Sequence, residues 1–195
     1  MSTPYTTTIR PDTGLYNGKL GMWLFLAAEA MFFGALFSSY AFLRTASTSW
    51  PDGADILPAT PALLAVVASA LAAVAATYAW RTAARPEGFP ARALWVVATA
   101  SLGAAALMAL GLRMESSEGM TPATNTFYAC WYLITVMTAA HAAPAGGYAL
   151  FLLWPRDPQR GIDRGCLQNR IECLGLMLQF VALIWVATFA CFYVI

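Results

Sequence analysis

Five runs of largely apolar residues, roughly 20–43, 60–80, 93–112, 126–153 and 172–194, limit this chain to very few folds. A helix rising 1.5 Å per residue needs about 20 such residues to cross the hydrocarbon of a bilayer. In hydrocarbon every backbone polar group needs an internal partner, so only helices and closed barrels span a membrane. Barrel strands would alternate apolar and polar residues over about ten positions, and these runs do not alternate. The predicted fold is therefore all-α: a polar tail over 1–18 and one membrane bundle of five helices over 19–195. Composition agrees, since 11% of residues are charged, against about a quarter in soluble domains.

Basic residues orient the bundle. Arg10 and Lys19 precede the first run, Arg81, Arg85 and Arg92 lie between the second and third, and Arg156, Arg160, Arg164 and Arg170 lie between the fourth and fifth. These share one side, and only Arg44 and Arg113 fall on the other. The excess predicts an N-terminus inside and a C-terminus outside. The tail lacks the basic region, short apolar core and cleavage site of a signal peptide. A multi-pass protein of a bacterial inner membrane is expected, and abundant Ala, Arg, Gly and Pro suit a GC-rich bacterium.

The connections are short. Pro51-Asp52-Gly53 supplies turn chemistry in the loop 45–61, Pro86 and Pro90 bar helix continuation in 81–92, and 113–125 and 154–170 read as an acidic outside loop and a basic inside loop. No internal repeat is visible. The small-residue stretches SALAAVAATYA, 69–79, and ATASLGAAALMALG, 98–111, predict close helix packing, because lipid leaves packing rather than hydrophobicity to hold helices together.

Redox chemistry of its own is disfavoured by counting. His141 is the single histidine, and Cys130, Cys166, Cys173 and Cys191 form no C-x-x-C pair. No nucleotide-binding or nucleophile-elbow motif occurs. Ionisable residues within the apolar runs are what remains, and in a membrane such residues are functional candidates. Glu29 lies about 15 Å along a helix from Lys19, too deep to reach either surface. His141 is similarly central. Each has a plain reading, a buried polar group satisfied by a neighbour, beside a proton-exchanging one. Glu172 is expected to open the fifth helix, stabilised there by the helix dipole and Arg170.

Taken in order, these residues resemble subunit III of the haem-copper respiratory oxidases in its short five-helix form. KLGMWLFLAAEAMFFGALF is similar to that family's helix with a lone embedded carboxylate, the site of carbodiimide modification, and Glu29 falls on it. The last run keeps Glu172, Phe180, Val181 and Trp185 of the pattern Glu, then Trp-His-Phe-Val-Asp, then Trp. The stretch NTFYACWYLITVMTAAHAAPAGG is similar to the helix written Thr-Gly-Leu-His-Gly-Leu-His-Val, with Thr135 and His141 on its first and last polar positions. Glu115 matches an acid of the Gln-Ala-x-Glu-Tyr segment. Thr138, Gln179 and Ala182 depart from it, standing where the family has His, His and Asp.

The resemblance implies a subunit that binds no haem or copper itself. Haem and copper would belong to the catalytic subunit I beside it, with subunit II in the same complex. It implies structural phospholipid in a groove between helices, with Arg156 a headgroup contact, and a role in supplying the proton-uptake path. Thr135, His141, Glu172 and Gln179 would form a polar cluster between helices, with Glu29 the proton-path carboxylate. Seven-helix members carry two further N-terminal helices that this chain lacks. The alternatives are a subunit-III-like accessory protein of a nitric oxide reductase, a small transporter or channel lined by Glu29 and His141 with a break at Pro144–Gly147, and a quinone-handling anchor whose single histidine has no evident Asp or Arg partner inside the runs.

Overall fold

The computed structural model describes residues 9–85, 88–154 and 164–194. Its elements are α1 (Asn17–Ala46), α2 (Gly53–Ile56), α3 (Ala59–Ala83), α4 (Ala91–Ser117), α5 (Thr126–Leu153) and α6 (Arg164–Tyr193). Among the described residues there is no strand, and five of the helices are long and apolar enough to cross a membrane. Arg156, Arg160 and Pro86 lie outside the described residues.

The helices outrun the apolar runs, because helical hydrogen bonding continues where hydropathy falls at an interface. The largest difference is in α6, which begins at Arg164 rather than 172. Glu172 is therefore more than two turns inside the helix, and the helix-dipole account of it is corrected. Likewise α4 continues through Glu115, which is 4% exposed and not in a loop. The anticipated break in α5 is absent as well: the helix runs through Pro144 to Leu153. Proline removes the donor that the Ala140 carbonyl would otherwise have, a local loss that an otherwise continuous ladder tolerates in membrane helices.

Caps mark two starts. The Asp52 carboxylate accepts from the Ala54 amide at 3.0 Å, and the Asn125 side chain accepts from the Tyr128 amide at 2.9 Å. Where α2 meets the end of α6, a Cβ on Gly53 would lie 1.8 Å from the Phe192 carbonyl oxygen, so only glycine allows that approach.

Two large cores and one small cluster, of Ala105, Ala142 and Val181, hold the described residues together. At the N-terminal end, Ala72, Ala76 and Ala79 of α3 lie with Leu94 and Val97 of α4 and Ile171 and Leu178 of α6. Small side chains let these three helices come together, as the two alanine-rich stretches predict. At the opposite end the core is aromatic, built on Phe33, Tyr40, Phe127, Trp131, Trp185 and Phe192. Polar atoms there reach across helices: Tyr40 donates to the Cys191 carbonyl at 2.7 Å, Trp185 Nε1 to the Ala62 carbonyl at 3.1 Å and Trp131 Nε1 to the Tyr193 hydroxyl at 3.1 Å.

Helix α1 stands apart. It packs on α6 and α5 along one edge, and Phe33 and Tyr40 are its buried residues. Its other faces, with Trp23, Leu24, Met31 and Phe42, are open.

Candidate functional site

Gly18, Met22, Phe25, Glu29 and Phe33 recur every three or four residues, which sets them on one face of α1. That face meets α5, and the acid of the first apolar run finds the chain's single histidine: Glu29 Oε2 is 3.2 Å from His141 Nε2. The two side chains are 18% and 15% exposed. Phe25 and Phe33 flank the imidazole at centroid distances of 6.1 and 5.6 Å. The other imidazole nitrogen, Nδ1, lies 2.6 Å from the Met137 carbonyl oxygen one turn back on α5.

This geometry places one hydrogen. A carbonyl only accepts, so Nδ1 carries a hydrogen. Nε2 is then either a bare acceptor in a neutral ring or protonated in an imidazolium. One proton shared between Glu29 and His141 gives an acid beside an imidazole or a carboxylate beside an imidazolium, and both arrangements carry no net charge. An electrically neutral pair is what low-dielectric surroundings tolerate. Oε2 is close to Nε2 but out of line for a hydrogen bond, and it has no other partner among the described residues.

Glu172 has a different partner from the one expected. Its carboxylate takes a 2.6 Å ion pair from Lys19, tying α6 to the start of α1. Gln179 lies two turns further along the same face of α6 and donates to the Thr77 hydroxyl of α3 at 3.1 Å. Thr135 is buried, and its hydroxyl has no partner among the described residues. The polar cluster of Thr135, His141, Glu172 and Gln179 is thus not one cluster: these residues sit in separate contacts, and only His141 joins Glu29. Thr138 turns back on its own helix, donating to the Ile134 carbonyl at 2.8 Å. Ala182 packs beside the N-terminal core.

A cavity of about 710 Å³ separates the lower part of α1 from α5 and α6. Its lining is mostly apolar and runs from Gly18, Asn169 and Arg170 at the N-terminal end to Phe25, Met177 and His141 at mid-depth. Asn169 is 8% exposed, and its Oδ1 has no partner among the described residues. Sequence reasoning missed Asn169 because it fell in a stretch read as loop. It missed Lys19 as a partner because 153 positions separate that residue from Glu172.

No family model matches the chain. Curated proteins do. It is 27% identical over 185 residues to cytochrome bo(3) ubiquinol oxidase subunit 3 of Pseudomonas aeruginosa, covering 91% of this chain and 84% of that protein. It is 27% identical over 187 residues to cytochrome c oxidase subunit 3 of Bacillus sp. strain PS3, covering 91% and 85%. With cytochrome c oxidase subunit 3 of Bacillus subtilis the identity is 26% over 203 residues, covering 98% and 94%. The chain is therefore similar, end to end, to third subunits of bacterial oxidases. With its five apolar helices, this makes it a multi-pass protein of a bacterial plasma membrane.

Proposed function

We propose that the chain is a non-catalytic third subunit of a haem-copper terminal oxidase in aerobic respiration, of the five-helix form, with its N-terminus inside. It would sit beside the catalytic subunit I, which holds haem and copper, with subunit II in the same assembly. Its work there is to stabilise the catalytic subunit, keep the proton-uptake path supplied and hold phospholipid. The observation that carries the reading is the Glu29–His141 contact: the two residues that the family resemblance singled out from distant runs meet at 3.2 Å, in a chain similar to oxidase third subunits over most of its length. The α1–α5–α6 cavity supports the lipid part, with Arg170 at its N-terminal end taking the headgroup role expected of Arg156.

Purification of the tagged chain from native membranes in mild detergent is expected to bring down proteins with haem absorbance and bound copper. Isolation as a lone bundle without either would overturn the assignment. In the complex, Glu29→Gln should assemble and alter proton uptake or the rate of inactivation during turnover; lost assembly with unchanged turnover in what forms would reduce Glu29 to a structural contact. The transporter reading loses its motive in the unbroken α5, since broken helices near the midplane supply such sites. The nitric oxide reductase reading draws no support from relatives named as oxidase subunits.

A further inference from the structure

In a bilayer an exposed leucine or phenylalanine needs no protein partner, because hydrocarbon serves it as well. The open faces of α1 therefore do not say what covers them. An exposed amide inside a span does. Gln179 is exposed on α6, seven residues beyond Glu172, which sets it about 10 Å deeper than the Lys19–Glu172 ion pair at 1.5 Å per residue. Lysine and arginine climb to the headgroups on long stems, and glutamine is too short to follow. Its orientation is fixed by Thr77 of α3. The Thr77 hydroxyl spends its one hydrogen on the Ala73 carbonyl at 2.9 Å, so towards Gln179 it can only accept. Gln179 Nε2 donates to it at 3.1 Å, and the amide oxygen Oε1 is left without a partner among the described residues. An unmatched carbonyl is costly in hydrocarbon. The exposed hydroxyl of Thr99 makes no such demand, since it returns to the Trp95 carbonyl of its own helix at 2.9 Å. Ser38 and Ser39 lie about 30 Å along α1 from Lys19, at the opposite surface.

We propose that the α3–α6 face centred on Gln179 is the surface on which this subunit meets its neighbour in the oxidase complex, and that the neighbour presents there a transmembrane helix with a side chain that donates a hydrogen bond to Oε1. The inference rests on the reading of the chain as an oxidase subunit and names the face by which it docks. The chemistry of the partner follows from the atom left over: a carbonyl oxygen only accepts, so the neighbour brings the hydrogen. A hydroxyl or an amide serves best, because either also accepts the second Nε2 hydrogen. Around the amide the face is apolar and open. Leu183 and Val186 follow Gln179 at spacings of four and three on α6, and Val67 and Val74 lie on the side of α3 that carries Thr77. Ala70, exposed between the two valines, leaves room for a second helix to come close.

The test uses the tagged full chain in native membranes, with the photo-crosslinker benzoylphenylalanine substituted for Val74 or Leu183 on this face, and for Met31 or Phe42 on α1. All four positions are exposed and accept a bulky probe. Adducts to a haem-containing protein are expected from Val74 and Leu183 and not from the α1 positions. Mass spectrometry of the adducts should place Ser, Thr, Asn, Gln, Tyr or Trp within one helical turn of the cross-linked residue; a segment without any of these would overturn the donor contact. In Gln179→Leu, haem retained per tagged chain under detergent washing should fall about threefold, the change that an average interhelical hydrogen bond corresponds to. Unchanged retention would also overturn the donor contact, and if that variant does not fold the adducts decide alone. Haem protein that co-purifies but cross-links only from Met31 or Phe42 would overturn the face and leave the subunit reading standing. Adducts between two copies of this chain would replace the neighbour with a homodimer. A wild type that brings down no haem protein would overturn the subunit reading, and this inference with it.

Discussion

Glu29→Gln and Glu29→Ala differ in one respect that the geometry around His141 makes decisive. With Nδ1 committed to the Met137 carbonyl, a neutral ring presents Nε2 as an acceptor, and a small side-chain rotation would let a glutamine amide donate to it as a protonated carboxyl would. Alanine can do nothing. Leaving a buried acceptor unsatisfied costs about 1–3 kcal/mol. Interhelical polar contacts measured in a membrane protein average about 0.6 kcal/mol and reach about 1.7. Side chains 18% and 15% exposed retain some access to other partners, which argues for the lower part of the range. Glu29→Ala should therefore cost about 1 kcal/mol relative to Glu29→Gln, read by denaturing-detergent titration in bicelles. A double-mutant cycle with His141→Ala should show coupling of similar size. Glutamine as costly as alanine would refute the shared-proton account. Coupling below about 0.3 kcal/mol, within the scatter of independent sites, would refute the contact itself.

Other substitutions test the packing. Gly53→Ala drives a Cβ to 1.8 Å from the Phe192 carbonyl oxygen and should cost about 1–3 kcal/mol, as overpacking does, with a drop in Tm. Two adjacent glycines of α5 should part company. A Cβ at Gly146 lies 2.7 Å from Leu102 Cγ, whereas one at Gly147 meets nothing within 4 Å. Gly147→Ala should then raise stability by about 0.5–1 kcal/mol from helix propensity alone, and Gly146→Ala should not; equal effects would mean that the α4–α5 approach is not tight. Lys19→Ala should cost less than about 1 kcal/mol, with the loss shrinking as salt rises, since both partners are about a quarter exposed.

The five helices were legible because a bilayer demands a length and a hydropathy that few sequences meet by accident. Helix ends were not, since Arg164–Arg170 and Arg113–Ser117 are polar by composition and helical by hydrogen bonding. Glu29 and His141 were each visible as polar residues in apolar surroundings, yet their pairing was not, because 111 intervening residues separate them and periodicity says nothing about which faces meet. The polar cluster misled for the same reason. Glu172 and Gln179 are seven apart on α6 but engage Lys19 of α1 and Thr77 of α3 respectively. Asn169 was hidden because an amide inside a basic, turn-rich stretch carries no pattern of its own.

Helix α1 buries little apolar surface, and its two carboxylate pairs with other helices lie ten positions apart, at Lys19 and Glu29. Sliding the helix by one residue along its own path moves it about 1.5 Å and turns it about 100°. For aliphatic side chains against lipid such a step changes little, because hydrocarbon surrounds the helix on every face it can present. For the two carboxylate pairs it is ruinous, since both are lost together. The contacts thus act as a two-point index: they contribute modestly to how firmly α1 is held and decide which rotation and depth it is held in.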